Sequence, residues 1–178
     1  MSKFLVIAEK PSVAQSYAKN LSAYKREDGY LEGESCIVSW CLGHLAEYAQ
    51  PEEYDPKYEK WQFDDLPILP EAWKLKVSKD KKKQFEVIKT LMNRSDVEYL
   101  VNGCDAGREG ELIFQRVYVL AGCRKPVKRL WISSMEDAAI QKGFQTMKSE
   151  EEYKNLCMAA VCRVSWLLVQ SKTSVTVV

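Results

Sequence analysis

The sequence predicts an α/β fold in which a largely parallel sheet is flanked by helices. Two observations predict it. Short runs of apolar and β-branched residues alternate along the chain with longer segments whose apolar residues recur at helical spacing. The first run, residues 4–8 (FLVIA), is apolar without interruption, which is typical of a strand covered on both faces. Alternating strands and helices favour right-handed crossovers between parallel strands.

The first half of the chain is predicted to hold one helix and several strands. Pro11 stands at a helix's first turn, and apolar residues continue at helical spacing to about Ser22. Residues 30–42 are β-favouring and predict hairpin-like strands around Gly33. Four prolines and many acids over 49–73 predict a long connection, which in a compact domain is usually a functional excursion or an interface.

The second half continues the alternation. The predicted elements are a short strand over 73–77, a helix over 80–93, a strand over 97–101, a helix over 108–121 closed by Gly122, a strand over 127–132, a helix over 135–147 and a last helix from about Ser149. Three glutamates, 150–152, open that last helix, where the helix dipole favours negative charge.

Composition places the chain among ordinary globular domains. It has 178 residues, 46% of them apolar and 29% charged, and a net charge of +1, so bulk charge identifies no partner. No run reaches the roughly 18 to 20 apolar residues of a membrane span, and no signal peptide is recognisable, so no membrane partner and a cytoplasmic location are expected. Six cysteines without a CxxC pair favour buried thiols over zinc ligands or disulfides.

Acidic residues follow two of the predicted strands. Glu9 comes directly after the first strand, and Asp105 and Glu109 follow the strand over 97–101. Ligands of open α/β sheets bind at the carboxyl ends of the strands. If the two strands are neighbours, the three carboxylates converge, and such a cluster needs a cation to persist. Mg²⁺ suits it, since that ion takes one or two carboxylates together with phosphates and waters.

Two cationic residues stand beside these acids, Lys10 next to Glu9 and Arg108 next to Glu109. Carboxylates for a metal with cations for phosphate oxygens are the parts of a phosphoryl-transfer site. Each acid also has a structural explanation, because Glu9 can favour a helix N-terminus and Asp105 can cap the following helix. The joint placement of acids and cations favours the site.

These segments resemble a known family. Residues 6–12 (VIAEKPS) and 105–111 (DAGREGE) resemble the two signature segments of the TOPRIM domain of type IA DNA topoisomerases, and are most similar to its bacterial topoisomerase III members. Five further segments resemble that family in the same order, namely 41–45, 54–61, 66–68, 128–134 and 155–163. The similarity covers about residues 3–168.

The resemblance implies a TOPRIM domain, a Rossmann-like sheet flanked by helices, over 1–148, and a helix over 149–178 that leads into the next topoisomerase domain. It implies cleavage and religation of one DNA strand, with Mg²⁺ supporting the chemistry. The implied partners are DNA, chiefly single-stranded, and the remaining topoisomerase domains.

The same resemblance implies roles for the acidic segments. Glu9 matches a residue at the scissile phosphate that is assigned to proton transfer, and Lys10 matches a phosphate contact. Asp105 and Glu109 match the DxDxE metal motif, with Glu9 beside them as a third metal ligand. Arg108, inside that motif, is the third catalytic residue that we expect.

Further residues are expected to contact DNA. His44 matches a family histidine near the site, and Arg163 matches a position in the last similar segment. Six lysines within 74–83 form either a solvated face or a rim that tracks the DNA backbone, whose contribution falls with salt.

The sequence departs from the family pattern at Gly107, where an aspartate is often found. We therefore expect Mg²⁺ to be held loosely by Asp105 and Glu109, with Glu9 or Glu111 assisting. None of the nine tyrosines precedes Pro-Arg, the context of the family's nucleophile, and the residues after Arg163 differ from the family's Asp-Trp-Leu segment. The chain alone is not expected to relax DNA.

Two alternatives stay open. One is a free-standing TOPRIM nuclease or primase-like protein that activates water or a nucleotide, which metal-dependent nicking by the isolated chain would favour. The other is a non-catalytic DNA-binding remnant, which Gly107 and the unusual tail make plausible.

Overall fold

Nine strands and five helices are present in the computed structural model, which describes residues 2–60, 65 and 72–170. The strands are β1 (Lys3–Ala8), β2 (Lys25–Glu27), β3 (Tyr30–Glu32), β4 (Cys36–Trp40), β5 (Ala46–Tyr48), β6 (Leu75–Val77), β7 (Val97–Gly103), β8 (Val127–Arg129) and β9 (Lys148–Ser149). The helices are α1 (Pro11–Asn20), α2 (Lys82–Asn93), α3 (Arg108–Leu120), α4 (Asp137–Gln145) and α5 (Lys154–Gln170).

Seven of these strands form one sheet in the order β2-β3-β4-β1-β7-β8-β9. Its central strands β4, β1, β7 and β8 are parallel, while β2, β3 and β9 add antiparallel edges. The strands β5 and β6 form a separate antiparallel pair. The predicted α/β architecture with a largely parallel sheet is confirmed.

The central strand β1 explains why residues 4–8 carry no polar side chain. Leu5 and Ile7 belong to an apolar cluster with residues of α2 and α3, and Val6 and Ala8 belong to a second cluster with residues of α1 and α4. Successive side chains of a strand point to opposite faces, so a strand covered on both faces must be apolar throughout. All four side chains are fully buried.

The long predicted elements are confirmed, and the short ones differ. The predicted hairpin region resolves into β3 and β4, and the predicted strand over 127–132 ends at Arg129. The sequence did not predict β2, β5 and β9, because strands of two or three residues are too short to show apolar alternation. The last helix begins with a 3₁₀ turn over Glu150–Tyr153 and continues as α5.

The predicted connection over 49–73 contains 3₁₀ turns at Pro51–Glu53 and Pro56–Lys60. Residues 61–64 and 66–71 lie outside the described residues; they include the last residue of the similar segment 54–61 and all of the similar segment 66–68. The predicted domain boundary at 148/149 falls inside β9, and α5 packs against α3, so the C-terminal segment begins on the sheet. The division into domains stays a prediction.

Four of the six cysteines, Cys36, Cys41, Cys104 and Cys123, are buried free thiols, as predicted. Cys157 is half-buried and Cys162 is exposed. In the part of the chain that the structure describes, no helix combines the length and the apolar character needed to cross a membrane.

Candidate functional site

Three segments that follow neighbouring strands meet at one edge of the sheet. Ala8, the last residue of β1, pairs with Trp40 of β4 on one side and with Gly103 of β7 on the other. Beyond the strands, the amide of Gly43 donates to the carbonyl of Glu9 at 3.3 Å. The strands that carry the predicted acids are therefore neighbours, as the convergence of the acids requires.

Lys10 bridges two of the predicted carboxylates. Its Nζ lies 3.6 Å from Oε1 of Glu9 and 3.7 Å from Oδ2 of Asp105. The Glu9 side chain is 12% exposed, whereas that of Asp105 is 56% exposed. One ammonium group thus partly offsets the repulsion between two carboxylates at the same edge of the sheet.

The third predicted carboxylate, that of Glu109, contacts His44. Nε2 of His44 lies 3.5 Å from Oε2 of Glu109, on the first turn of α3. His44 follows Gly43, whose amide donates to the Glu9 carbonyl. The histidine therefore connects the segment of Glu9 with Glu109 of α3. We call Glu9, Lys10, His44, Asp105 and Glu109 the acidic edge.

Arg116 contacts the His44 ring, and the sequence did not predict this contact. Its Nη1 lies 3.4 Å from Nδ1 of His44 and donates to the carbonyl of Ala46 at 3.3 Å, while its guanidinium stacks on Tyr48. Burial lowers the pKa of Arg116. The available signal was a cation within the apolar stripe of α3, where a charged side chain needs a local reason.

A buried arginine shapes the loop that carries Asp105. Arg129 is fully buried and donates to the carbonyls of Asn102, Cys104 and Asp105 at 3.0, 2.7 and 2.8 Å. It also forms an ion pair with Glu111. The burial of Arg129 was not predicted, because a charged residue at a strand's end carries no sign of it in the sequence.

That ion pair corrects one expectation. The carboxylate of Glu111 is buried, accepts from Arg129 and also accepts from the Asn102 amide at 3.2 Å. It points into the protein and is unavailable to a cation at the acidic edge. Of the two assisting residues predicted, Glu9 lies at the acidic edge and Glu111 does not.

Two glycines of the DAGREGE segment have different surroundings. A Cβ on Gly110 would lie 2.1 Å from the Asp105 carbonyl oxygen, so only glycine lets α3 approach the loop this closely. A Cβ on Gly107 would meet no atom within 4 Å. The position where the family often carries an aspartate is therefore open space beside the edge.

The remaining predicted residues lie apart from these contacts. Arg108 is the exposed first residue of α3, and within the described residues it forms no salt bridge. Arg163 lies in α5, but its side chain falls outside the described residues. Across the described ranges, no three His, Cys, Asp or Glu side chains gather closely enough to hold a metal ion by themselves.

Fold and edge together define a Rossmann-like α/β domain with carboxylates at the carboxyl ends of its parallel strands. The model of the Toprim domain matches residues 4–135. The chain therefore belongs to the Toprim domain family.

Similar proteins carry topoisomerase names. The chain is 48% identical over 170 residues to DNA topoisomerase 3 of Bacillus subtilis (strain 168), a match that covers 94% of this chain and 23% of that protein. It is 50% identical over 163 residues to DNA topoisomerase 3 of Bacillus cereus (strain ATCC 14579), covering 92% and 22%. The chain thus spans less than a quarter of the length of these curated relatives.

A solved structure shares the fold. Full-length topoisomerase I from Thermotoga maritima superposes with a TM-score of 0.52 at 19% identity, covering 82% of this chain and 21% of that one. The predicted resemblance to type IA topoisomerases, and to their topoisomerase III members, agrees with these similarities.

Proposed function

We propose that this chain forms the metal and acid-base part of a type IA topoisomerase site, which cleaves and rejoins one strand of DNA. The observation that carries the proposal is the acidic edge, where Lys10 lies between Glu9 and Asp105. The similarity to DNA topoisomerase 3 over more than nine-tenths of the chain supports it.

Mg²⁺ fits the donors of this edge when phosphate is present. Asp105 and Glu109 are exposed carboxylates, and two such groups are what a hydrated Mg²⁺ takes alongside substrate phosphates and waters. Three protein ligands are not preassembled in the described part of the chain, which agrees with weak binding in the absence of DNA. When bound, the ion would neutralise charge on the phosphate.

In this proposal Glu9 transfers the proton of the reaction, and Lys10 offsets the negative charge of the phosphate. Cleavage requires a hydroxyl to attack phosphorus and release its proton to water, the P–O3′ bond to break and the departing O3′ to gain a proton. Glu9 would donate that proton and take it back on religation, and Lys10 would bind a non-bridging phosphate oxygen. His44 would donate to phosphate from Nε2, with Arg116 against its other nitrogen.

The attacking hydroxyl belongs to a tyrosine outside these residues. The family's nucleophile precedes Pro-Arg, and none of the nine tyrosines here does. In this account a longer protein brings its tyrosine to the acidic edge, and the single-stranded DNA lies between them.

The test is a chimera in which this chain replaces the matching segment of the Bacillus subtilis DNA topoisomerase 3. We expect it to relax supercoiled DNA with Mg²⁺, and Glu9→Gln to lower the relaxation rate at least about 100-fold, with DNA affinity nearly unchanged. An inactive chimera, or near-normal relaxation by Glu9→Gln, contradicts the proposal. Metal-dependent nicking by the chain alone would instead favour a free-standing nuclease.

A further inference from the structure

Arg116 is a buried cation that has no carboxylate partner in the described part of the chain. It belongs to α3 and is only 7% exposed. Among the described residues, no carboxylate oxygen lies within 4 Å of its guanidinium, and Glu47 and Glu109 act on its charge only from a greater distance. Its Nε is buried and has no hydrogen-bond partner among the same residues. Burying such a charge costs free energy, so the contacts of Arg116 need a reason beyond stability.

The contacts that Arg116 does make fix the position of one amino group. Nη1 donates to the carbonyl of Ala46, the first residue of β5, at 3.3 Å and lies 3.4 Å from Nδ1 of His44. The guanidinium carbon lies 4.8 Å from the centroid of the Tyr48 ring on the same strand. Nη1 carries two N–H groups, so one is available for the carbonyl and the other for the imidazole ring.

The chemistry of this pair determines which ring nitrogen of His44 carries the proton. A guanidinium has donors only and stays protonated, so Nη1 cannot accept a hydrogen bond from Nδ1. In a neutral imidazole one nitrogen donates and the other accepts. A ring whose Nδ1 faces Arg116 therefore accepts at Nδ1 and carries its proton on Nε2.

The proton on Nε2 lies on the side of the acidic edge. Nε2 is 3.5 Å from Oε2 of Glu109, and the His44 side chain is 46% exposed, so this nitrogen can reach a bound group. An N–H there donates to a carboxylate or phosphate oxygen, whereas a lone pair on Nε2 would repel such an oxygen. The backbone of His44 is held separately, because Nζ of Lys81 donates to its carbonyl at 3.0 Å.

We propose that Arg116 is a positioning residue, which holds Nδ1 of His44 as an acceptor and so keeps the Nε2 proton directed at the phosphate bound at the acidic edge. The inference rests on the proposed function for the phosphate, whereas the arrangement of the ring is a property of the chain itself. Arg116 touches no reacting atom in this account and acts only through His44. The same role explains why a cation occupies a buried position of α3.

The first test observes the ring of His44, the only histidine of the chain, by NMR. At about pH 8.5, well above the ordinary pKa of an imidazole, the chemical shifts of the two ring nitrogens report which one carries the proton. We expect the proton on Nε2 in the unsubstituted chain. In Arg116→Met the fraction with a proton on Nδ1 should rise about tenfold, from the loss of one hydrogen bond from a charged donor. Lys81→Met is the matched control, because it removes a cation that contacts the His44 carbonyl, and it should leave the fraction unchanged.

Three results of this test would overturn the inference. A proton mainly on Nδ1 in the unsubstituted chain does so without requiring any variant to fold. An unchanged fraction in Arg116→Met, or an equal rise in Lys81→Met, does so as well. None of these results depends on DNA cleavage, so they are distinct from a failure of the proposed function.

The second test asks whether Arg116 acts through His44. In the chimera with Bacillus subtilis DNA topoisomerase 3, we expect Arg116→Met to lower the relaxation rate about tenfold. His44→Ala/Arg116→Met should be no slower than His44→Ala alone, since the arginine has no effect without the ring. Losses that add in the double variant mean that Arg116 acts by itself, which overturns the positioning role. If the chimera without these substitutions is inactive, the proposed function fails while the NMR result still decides the arrangement of the ring.

Discussion

Single glycines decide how closely the backbone approaches Asp105. Gly110 lies against the carbonyl oxygen of Asp105, whereas Gly107, three residues earlier, faces open space. Both belong to the DAGREGE segment, and their sequence context does not distinguish them. The difference comes from the way α3 starts beneath the loop, so the two positions form a matched pair for testing the geometry of the acidic edge.

We predict that Gly110→Ala lowers the free energy of unfolding by about 3 kcal/mol, because the new methyl group must displace the Asp105 backbone. In a helix interior, replacing glycine by alanine otherwise stabilises the fold by about 1 kcal/mol. A loss of stability at Gly110 would therefore come from the clash. Urea unfolding measures the change, with Gly107→Ala as the control. A neutral Gly110→Ala would show that the loop does not approach α3 as described.

A second prediction concerns the missing carboxylate. Gly107→Asp adds an acid in open space, and we expect it to raise Mg²⁺ affinity about tenfold, since affinity follows the number of charged ligands. Isothermal titration of the DNA-free chain gives the measurement, and Gly107→Asn separates the added charge from the added oxygen. Tight binding by the unsubstituted chain would contradict the account of a loosely held ion.

At the scale of elements, one buried ion pair joins β7, β8 and α3. Arg129 at the end of β8 pairs with Glu111 of α3 and donates to the carbonyls of Asn102, within β7, and Cys104, just after it. Removing one residue of such a pair lowers the stability of the fold strongly, because the remaining charge stays buried without a partner. It therefore holds the Asp105 loop in one arrangement.

We predict that Arg129→Met costs about 3 to 5 kcal/mol of unfolding free energy, since it leaves the Glu111 carboxylate buried without its cation. Arg129→Met/Glu111→Leu removes both charges and should recover part of that loss. Chemical denaturation of the two variants measures the difference. If the double variant is less stable than the single one, the buried charge is not the cause.

The junction between β9 and α5 contains a titrating carboxyl. Burial, with a contribution from the Glu111 charge, raises the pKa of Glu150 from 4.5 to about 6. The folded state then binds this proton more tightly than the unfolded chain does. The contribution of Glu150 to stability is accordingly greatest below pH 4.5 and falls as the pH rises to about 6.

We therefore predict that Glu150→Gln, which mimics the protonated side chain, is more stable than the unsubstituted chain at pH 7 by about 1 kcal/mol, a value discounted for partial exposure. The two should converge near pH 4. Unfolding free energies across this range test the prediction, and exposed Glu151→Gln serves as the control. A gain that does not depend on pH would exclude titration of Glu150 as its cause.

At the scale of the whole molecule, the features repeated over many residues were predictable. The uninterrupted run 4–8 identified the central strand, and acids after two strands located the edge that later proved to carry Glu9 and Asp105 together. The features that could not be predicted depend on contacts between residues distant in sequence. The burial of Arg129 with Glu111 and the placement of Arg116 against His44 are set by packing that no local pattern records.

The central claim is that Glu9, Asp105 and Glu109 serve one cation and one DNA phosphate. Its most direct test is the anomalous scattering of Mn²⁺, standing in for Mg²⁺, in crystals of the chain grown with a short single-stranded oligonucleotide. We expect one manganese peak that touches the carboxylates of Asp105 and Glu109 and a phosphate oxygen, with Glu9 facing that phosphate. A peak bound elsewhere, or DNA at the edge without a metal, would contradict it.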